Sequence, residues 1–246
     1  MARNLEHLIK QSLDIFYQRR LQKLHELKLR QTLRRKNPYL FRASGVQKAS
    51  EIVEHLLSAY MSSSDETIFG DAFFEPIAKM VSGGEVGSGE GIDILKETAT
   101  SCVAISVKSC PNRANSSQKK KQSQDFEAVR QRLYKTHKRF DALLGYGYGQ
   151  KHSDPAKGRN YRERSGQAFW EEMTADPEFY LKLIRLMKDY PSRHRLLYQD
   201  EWNKAVNRFE KEFLEDFSTP SGDIDWEKLV RFNSQKREGK KKRVVA

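Results

Sequence analysis

The chain has 246 residues, enough for one sizeable core with a smaller appendage and too few for two full ones. A hydrophobic share of 37% with 11% aromatic residues excludes an intrinsically disordered chain, while a formal charge of +12 directs attention to a polyanionic partner. Cys102 and Cys110 are too few for a disulfide framework and set the expectation of a reducing cytoplasm, and no apolar run reaches the length of a membrane span or a signal peptide.

The positive charge sits at the ends. Residues 1–36 hold ten Lys or Arg against three Asp or Glu, and residues 231–246 hold seven against one. Leu5, Leu8, Ile9, Leu13, Phe16 and Tyr17 recur at helical spacing, so the first segment reads as a basic amphipathic helical arm that stops before Asn37 and Pro38. A solvated arm and a DNA-contacting arm are equally compatible with that pattern. A core helix follows, with Val46, Ala49, Ile52, Val53, Leu56, Leu57 and Tyr60 on one stripe.

Beyond it, Ser64 or Asp65 would cap another helix that buries Ile68, Phe69, Ala72, Phe73, Ile77 and Met80, with Pro76 kinking or restarting it. The stretch "SGGEVGSGEG" lacks the GK[ST] ending of a phosphate-cradling loop, so it reads as a flexible connection. "GIDILKETATSCVAISVKS" reads as a two-stranded hairpin. Residues 118–144 return to helical spacing through Phe126, Val129, Leu133 and Phe140, and "GYGYGQKHSDPAKGRNYRERSGQ" reads as a long loop or ribbon. Phe169–Met187 and Trp202–Phe217 read as helices, and the polar, basic tail from Asn233 reads as disordered. The domain expectation is therefore an arm over 1–36, a main domain over 37–232 and a tail over 233–246.

The hairpin carries the chemistry. If Val103, Ile105 and Val107 face a core, then Ala104, Ser106 and Lys108 face the other way, with Lys108 beside Asp93 on the neighbouring strand. A strand carboxylate with an adjacent lysine is what metal-dependent phosphodiester hydrolysis needs. In such chemistry the carboxylate would hold Mg²⁺, which acidifies a bound water, the lysine would orient or deprotonate that water, and a main-chain carbonyl, here that of Val107, can complete the shell. The plainer reading makes Asp93 a strand-edge residue and Lys108 a gatekeeper charge.

The order of helix-borne Glu, Asp93 and Ser106-x-Lys108 resembles the PD-(D/E)XK nuclease superfamily. The run "NPYLFRASGV…SSSDETIFGDAFFE…GIDI…SVKSCPNRANSSQ…GQAFW" is similar to a branch of its type II restriction endonucleases, over roughly residues 37–188. The resemblance implies an α/β core with a central mixed β-sheet flanked by helices and an added basic N-terminal helical arm. It also implies Mg²⁺-dependent cutting of double-stranded DNA, a homodimer whose two-fold axis matches a two-fold site, and a companion DNA methyltransferase. Two positions depart from the pattern. Ser106 stands at the second acidic position and is a poor metal ligand, so the missing charge is expected from Glu75, with Glu66 in reserve; Pro76 biases Glu75 away from helical geometry. Cys110 stands where the resemblance leads one to expect glycine.

For DNA contact the polar stretch "SCPNRANSSQKKK" offers Asn112, Arg113, Asn115, Ser116, Ser117 and Lys119, and Arg159 and Arg162 are further candidates; sequence alone does not separate base from phosphate contacts. A sequence-specific endonuclease is the leading expectation. A structure-directed repair or recombination nuclease and a nonenzymatic nucleic-acid-binding protein remain alternatives.

Overall fold

In a computed structural model, residues 2–87, 91–111, 115–156 and 158–236 are described. The helices α1 (Ala2–Glu26), α2 (Leu29–Leu33), α3 (Pro38–Ala43) and α4 (Ala49–Phe69) are followed by a π-helical turn at Gly70–Phe74 and by α5 (Glu75–Ser82). Strands β1 (Glu85–Val86), β2 (Ile94–Glu97) and β3 (Ser101–Lys108) lead to α6 (Ser116–Leu133), and β4 (Arg139–Tyr146), β5 (His152–Ser153) and β6 (Arg162–Ser165) follow. The chain then continues as α7 (Gly166–Thr174), α8 (Phe179–Met187), α9 (Tyr190–Phe217) and α10 (Trp226–Ser234). It divides into two compact units, 1–20 with 64–196 and 21–63 with 197–246, and these bounds are not those of the charge runs.

The first unit is the expected mixed sheet flanked by helices. Its strand order is β1-β2-β3-β4-β6-β5, with β3, β4 and β6 parallel to one another and β1, β2 and β5 antiparallel to their neighbours. Helix α6 connects the parallel pair β3 and β4, the long crossover that a parallel pair requires. Side-chain alternation splits β3 between two cores. Ile105 and Val107 join Leu5, Ile9, Phe73, Ile77, Leu143 and Trp170 on one face, while Ala104 joins Phe126, Val129, Ala142, Leu144 and Tyr161 on the other.

Several sequence expectations are corrected here. The helical reading of residues 118–144 fails after Leu133, because Arg139–Tyr146 is the strand β4; buried on both faces, its "ALLGY" run has no alternation to betray it. The expected cap at Ser64 or Asp65 does not exist, since α4 runs unbroken to Phe69. The break comes instead at the π-helical turn, where the Glu75 N–H donates to the Gly70 carbonyl across five residues and Pro76 opens the next helix. Met80, expected inside, is exposed. The stretch read as loop or ribbon contributes β5 and β6.

The second unit is helical, built around Leu24, Ile52, Leu56, Phe209, Phe213 and Leu229. Arg30 clasps Asp216 with two bonds of 2.6 and 2.7 Å. Asn233, expected to begin a loose tail, instead lies in α10, and its amide donates to the carbonyls of Leu33, Arg34 and Lys36, closing the open end of α2.

Glycine spacing sets how closely layers meet in the first unit. A Cβ on Gly145 would lie 2.1 Å from the Phe169 ring and one on Gly147 would lie 2.4 Å from that of Phe74. Beneath the far edge of the sheet Glu163 is buried. Burial alone pushes its carboxyl up, but bonds from Ser153 and Tyr146 at 2.8 Å each, together with Lys151 at 3.2 Å, hold it below its ordinary value. Arg159 adds a further ion pair at 2.8 Å. A carboxyl held low stabilises the fold above its unfolded-state value, near 4.5, and loses that contribution as pH falls through its folded value. Glu163→Gln is therefore expected to cost about 3 kcal/mol at neutral pH in denaturant titrations. The deficit relative to wild type should close as the pH is lowered below about 4.5; an equal deficit at every pH would show that its charge is irrelevant.

Candidate active site

The antiparallel pairing of β2 with β3 ends at Ile94 opposite Ile105. Asp93 makes one more main-chain bond, its N–H donating to the Ile105 carbonyl at 2.9 Å. The next outward-pointing N–H on that edge, that of Val107, has no strand to meet. The Asp93 carboxylate takes it instead, Oδ2 accepting at 2.7 Å. Because the N–H and C=O of one strand residue point to the same edge, the Val107 carbonyl faces the same side as Asp93. Lys108 then ends the strand exposed, its own carbonyl accepting from the Gly147 N–H at 2.9 Å.

Ser106 is fully buried, its hydroxyl 3.4 Å from both Asp93 Oδ2 and Gln122 Oε1. It lends Asp93 a hydrogen-bonding partner and no charge. Gln122 of α6, which also donates to the Gly91 carbonyl at 3.4 Å, had no signal in the sequence, since nothing marks one glutamine among a polar run.

Three helical carboxylates approach this strand end. Glu75 keeps right-handed helical angles, φ −64° and ψ −50°, despite the proline that follows, because Pro76 falls in the first turn of α5, where no N–H is needed. It pairs with Lys79 at 2.5 Å. Asp71, which sequence reasoning passed over because an acidic residue in a helix reads as a solvated face, lies in the π-helical turn near Glu75 and Lys108. Glu66 is differently placed: Oε2 accepts from the Ser109 hydroxyl at 2.9 Å and Oε1 from the Tyr148 hydroxyl at 3.1 Å.

The electrostatics separate these groups. Burial raises the Asp93 carboxyl above the usual range, the Val107 N–H and Lys108 oppose that, the charge of Glu75 raises it again and Lys79 lowers it. Asp71 is also raised, by burial and then by Glu75, with Lys108 and Arg19 pulling the other way. Asp93, Glu75, Asp71, Lys79 and Lys108 thus form one mutually interacting set.

Among the described residues no three His, Cys, Asp or Glu gather as a metal-binding group. The oxygen donors that this strand end could offer are the Asp93 carboxylate and the Val107 carbonyl, with Glu75 interacting electrostatically with Asp93. That chemistry fits Mg²⁺, which keeps several waters and takes only one or two carboxylates from the protein.

The expected DNA-contact residues scatter. Asn112 and Arg113 lie outside the described residues. Asn115, Ser116, Ser117 and Lys119 are exposed at the start of α6, where Asn115 and Gln118 form a capping box. Arg159 and Arg162 are engaged inside the fold. Arg159 pairs with Glu163 and donates to the Asp154 carbonyl, and Arg162 bridges Asp141 at 2.8 Å and Glu172 at 2.5 Å.

The mixed sheet flanked by helices is consistent with a restriction-endonuclease-like core. The sequence model of the type II restriction endonuclease EcoO109I family matches residues 3–194. The chain belongs to that family, which makes it a nuclease and implies a DNA substrate. A comparison with curated protein sequences gave no match. Among the described residues no helix is long and apolar enough to cross a membrane.

An ionised Asp93, partly buried and facing the charge of Glu75, is electrostatically costly because burial outweighs the favourable Val107 N–H, Lys108 and Lys79. Asp93→Asn keeps an acceptor oxygen for Val107 and is expected to raise the melting temperature in EDTA at pH 7.5 by about 3 °C. A fall in melting temperature would show instead that the charge stabilises the fold.

Proposed function

We propose that this chain is a sequence-specific, Mg²⁺-dependent endonuclease that hydrolyses phosphodiester bonds of double-stranded DNA as a homodimer, beside a companion methyltransferase that protects the same sequence. The observation that carries the proposal is the Asp93 carboxylate bound to the Val107 N–H, one residue before Lys108, in a chain of a restriction endonuclease family. Asp93, the Val107 carbonyl and Glu75 would hold the metal, which when bound supplies an acidified water and charge neutralisation at the scissile phosphate.

The residues of the chain do the rest. Lys108 orients the attacking water through its ammonium hydrogens. Ser106 steadies Asp93 without adding charge, so Glu75 supplies the second carboxylate that the strand lacks. Glu75 is favoured over Glu66 because its charge acts on Asp93 whereas both Glu66 oxygens are already bonded. Asn115, Ser116, Ser117 and Lys119 present donors and charge to the DNA backbone from the start of α6. A homodimer gives each strand of a two-fold-symmetric sequence its own site. Two free cysteines fit a cytoplasmic setting.

The test is digestion of several long duplex DNAs with Mg²⁺ or EDTA. Discrete fragments are expected with Mg²⁺ only. Lys108→Ala and Asp93→Asn should each lower the rate by roughly 10²–10⁴-fold. A smear, or cutting confined to branched substrates, would replace sequence specificity with structure direction. DNA binding without cutting under any metal would overturn the enzymatic reading.

A further inference from the structure

Glu66 has a geometry that neither a metal ligand nor a solvated helix residue would need. Its carboxylate is divided between two strand ends. Oε2 accepts from Ser109, the residue immediately after Lys108, at 2.9 Å. Oε1 accepts at 3.1 Å from Tyr148, two residues beyond Tyr146, the β4 partner of Lys108. Between those two bonds, the Gly147 N–H donates to the Lys108 carbonyl at 2.9 Å.

Two further contacts tighten the same junction. One helical turn after Glu66, a Cβ on Gly70 would stand 3.2 Å from both the Cβ and the backbone nitrogen of Ser109, so the helix backbone rides directly on that residue. The Trp170 indole N–H donates to the Gly147 carbonyl at 2.8 Å, fixing the β4 side of the junction.

We propose that Glu66 is a positioning residue: by joining Ser109 to Tyr148 it locks the ends of β3 and β4 together and fixes where Lys108 presents its ammonium group. This rests on the hydrolytic reading of the Asp93–Lys108 site given above, and it removes Glu66 from the metal-binding set. The clamp acts on placement of the lysine and not on affinity for the metal or the DNA. A displacement of about 1 Å at a reacting group costs up to roughly 10²-fold in rate, which sets the scale of the effect.

The experiment compares wild type, Glu66→Ala, Glu66→Gln, Tyr148→Phe and Asp93→Asn. Three readouts are taken: single-turnover duplex cleavage, calorimetric titration with Mn²⁺ alone, and amide hydrogen exchange over residues 104–111 and 143–150. Glu66→Ala is expected to lower the single-turnover rate by roughly 10–100-fold while leaving Mn²⁺ affinity unchanged, and to speed exchange in both segments. Glu66→Gln should recover most of the rate and protection, because its amide can still accept from one hydroxyl and donate to the other. Tyr148→Phe should fall between them. Loss of Mn²⁺ binding in Glu66→Gln as severe as in Asp93→Asn would make Glu66 a ligand and overturn the proposal, as would unchanged exchange in Glu66→Ala. If wild type fails to cut while Glu66→Ala still exchanges faster, the clamp stands and the hydrolytic reading falls.

Discussion

A strand edge with no neighbouring strand is the constraint on which the candidate site depends. The N–H groups of β3 need acceptors, and β2 leaves before it can serve Val107. A main-chain donor left unpaired in this partly buried place would cost on the order of 1–3 kcal/mol. The chain solves this with a side chain in place of a strand. Asp93 turns its carboxylate back along the edge that its own backbone has just left, bonding Val107 at 2.7 Å. The result is an anionic oxygen pair fixed beside an outward-facing carbonyl. The same need that completes the sheet sets the carboxylate at this edge.

The surrounding helices bring charge to that edge in graded fashion. Glu75 interacts electrostatically with Asp93, Asp71 interacts with Glu75 and Lys108, and Glu66 is spent on hydrogen bonds. The neutral Ser106 makes this arrangement necessary. With no carboxylate at that strand position, the cation proposed above would draw further negative charge from outside the sheet, and the turn at Gly70–Phe74 with the start of α5 is the segment that carries Asp71 and Glu75.

How much of this was legible in the sequence follows from how each element is buried. The stripe on α4 announced itself because it faces a core in a regular period, and the run from Val103 to Val107 because its branched residues alternate with small or polar ones although both faces are buried. The nearness of Asp93 to Lys108 was legible because both belong to one hairpin whose connection, residues 98–100, is short, so strand pairing brings together residues fifteen positions apart. β4 was hidden by burial on both faces, which erases alternation and leaves a run that fits a helix as well. Asp71 and Gln122 were hidden for the opposite reason: polar residues on helices carry no mark of which way they face. Glu75 was found for its charge but misjudged in conformation, since the rule about residues preceding proline gives way where a π-helical turn ends and a new helix starts. Arg159 and Arg162 drew attention as exposed readers, and only tertiary structure shows Glu163, Asp141 and Glu172 waiting for them.

The π-helical turn ties this region to chain length as well as to composition. Its bond from Glu75 to Gly70 spans one residue more than the α-helical ladder. Deleting a single residue between them would turn that bond into the ordinary four-residue one and leave Glu75 stacked over Gly70, because the wider turn is what accommodates the extra residue. The residues inside the turn, Asp71 among them, would be the ones displaced, although Glu75 would keep its place. A one-residue shortening in this segment would therefore act on the position of Asp71 and leave Glu75 in line with the helix before it.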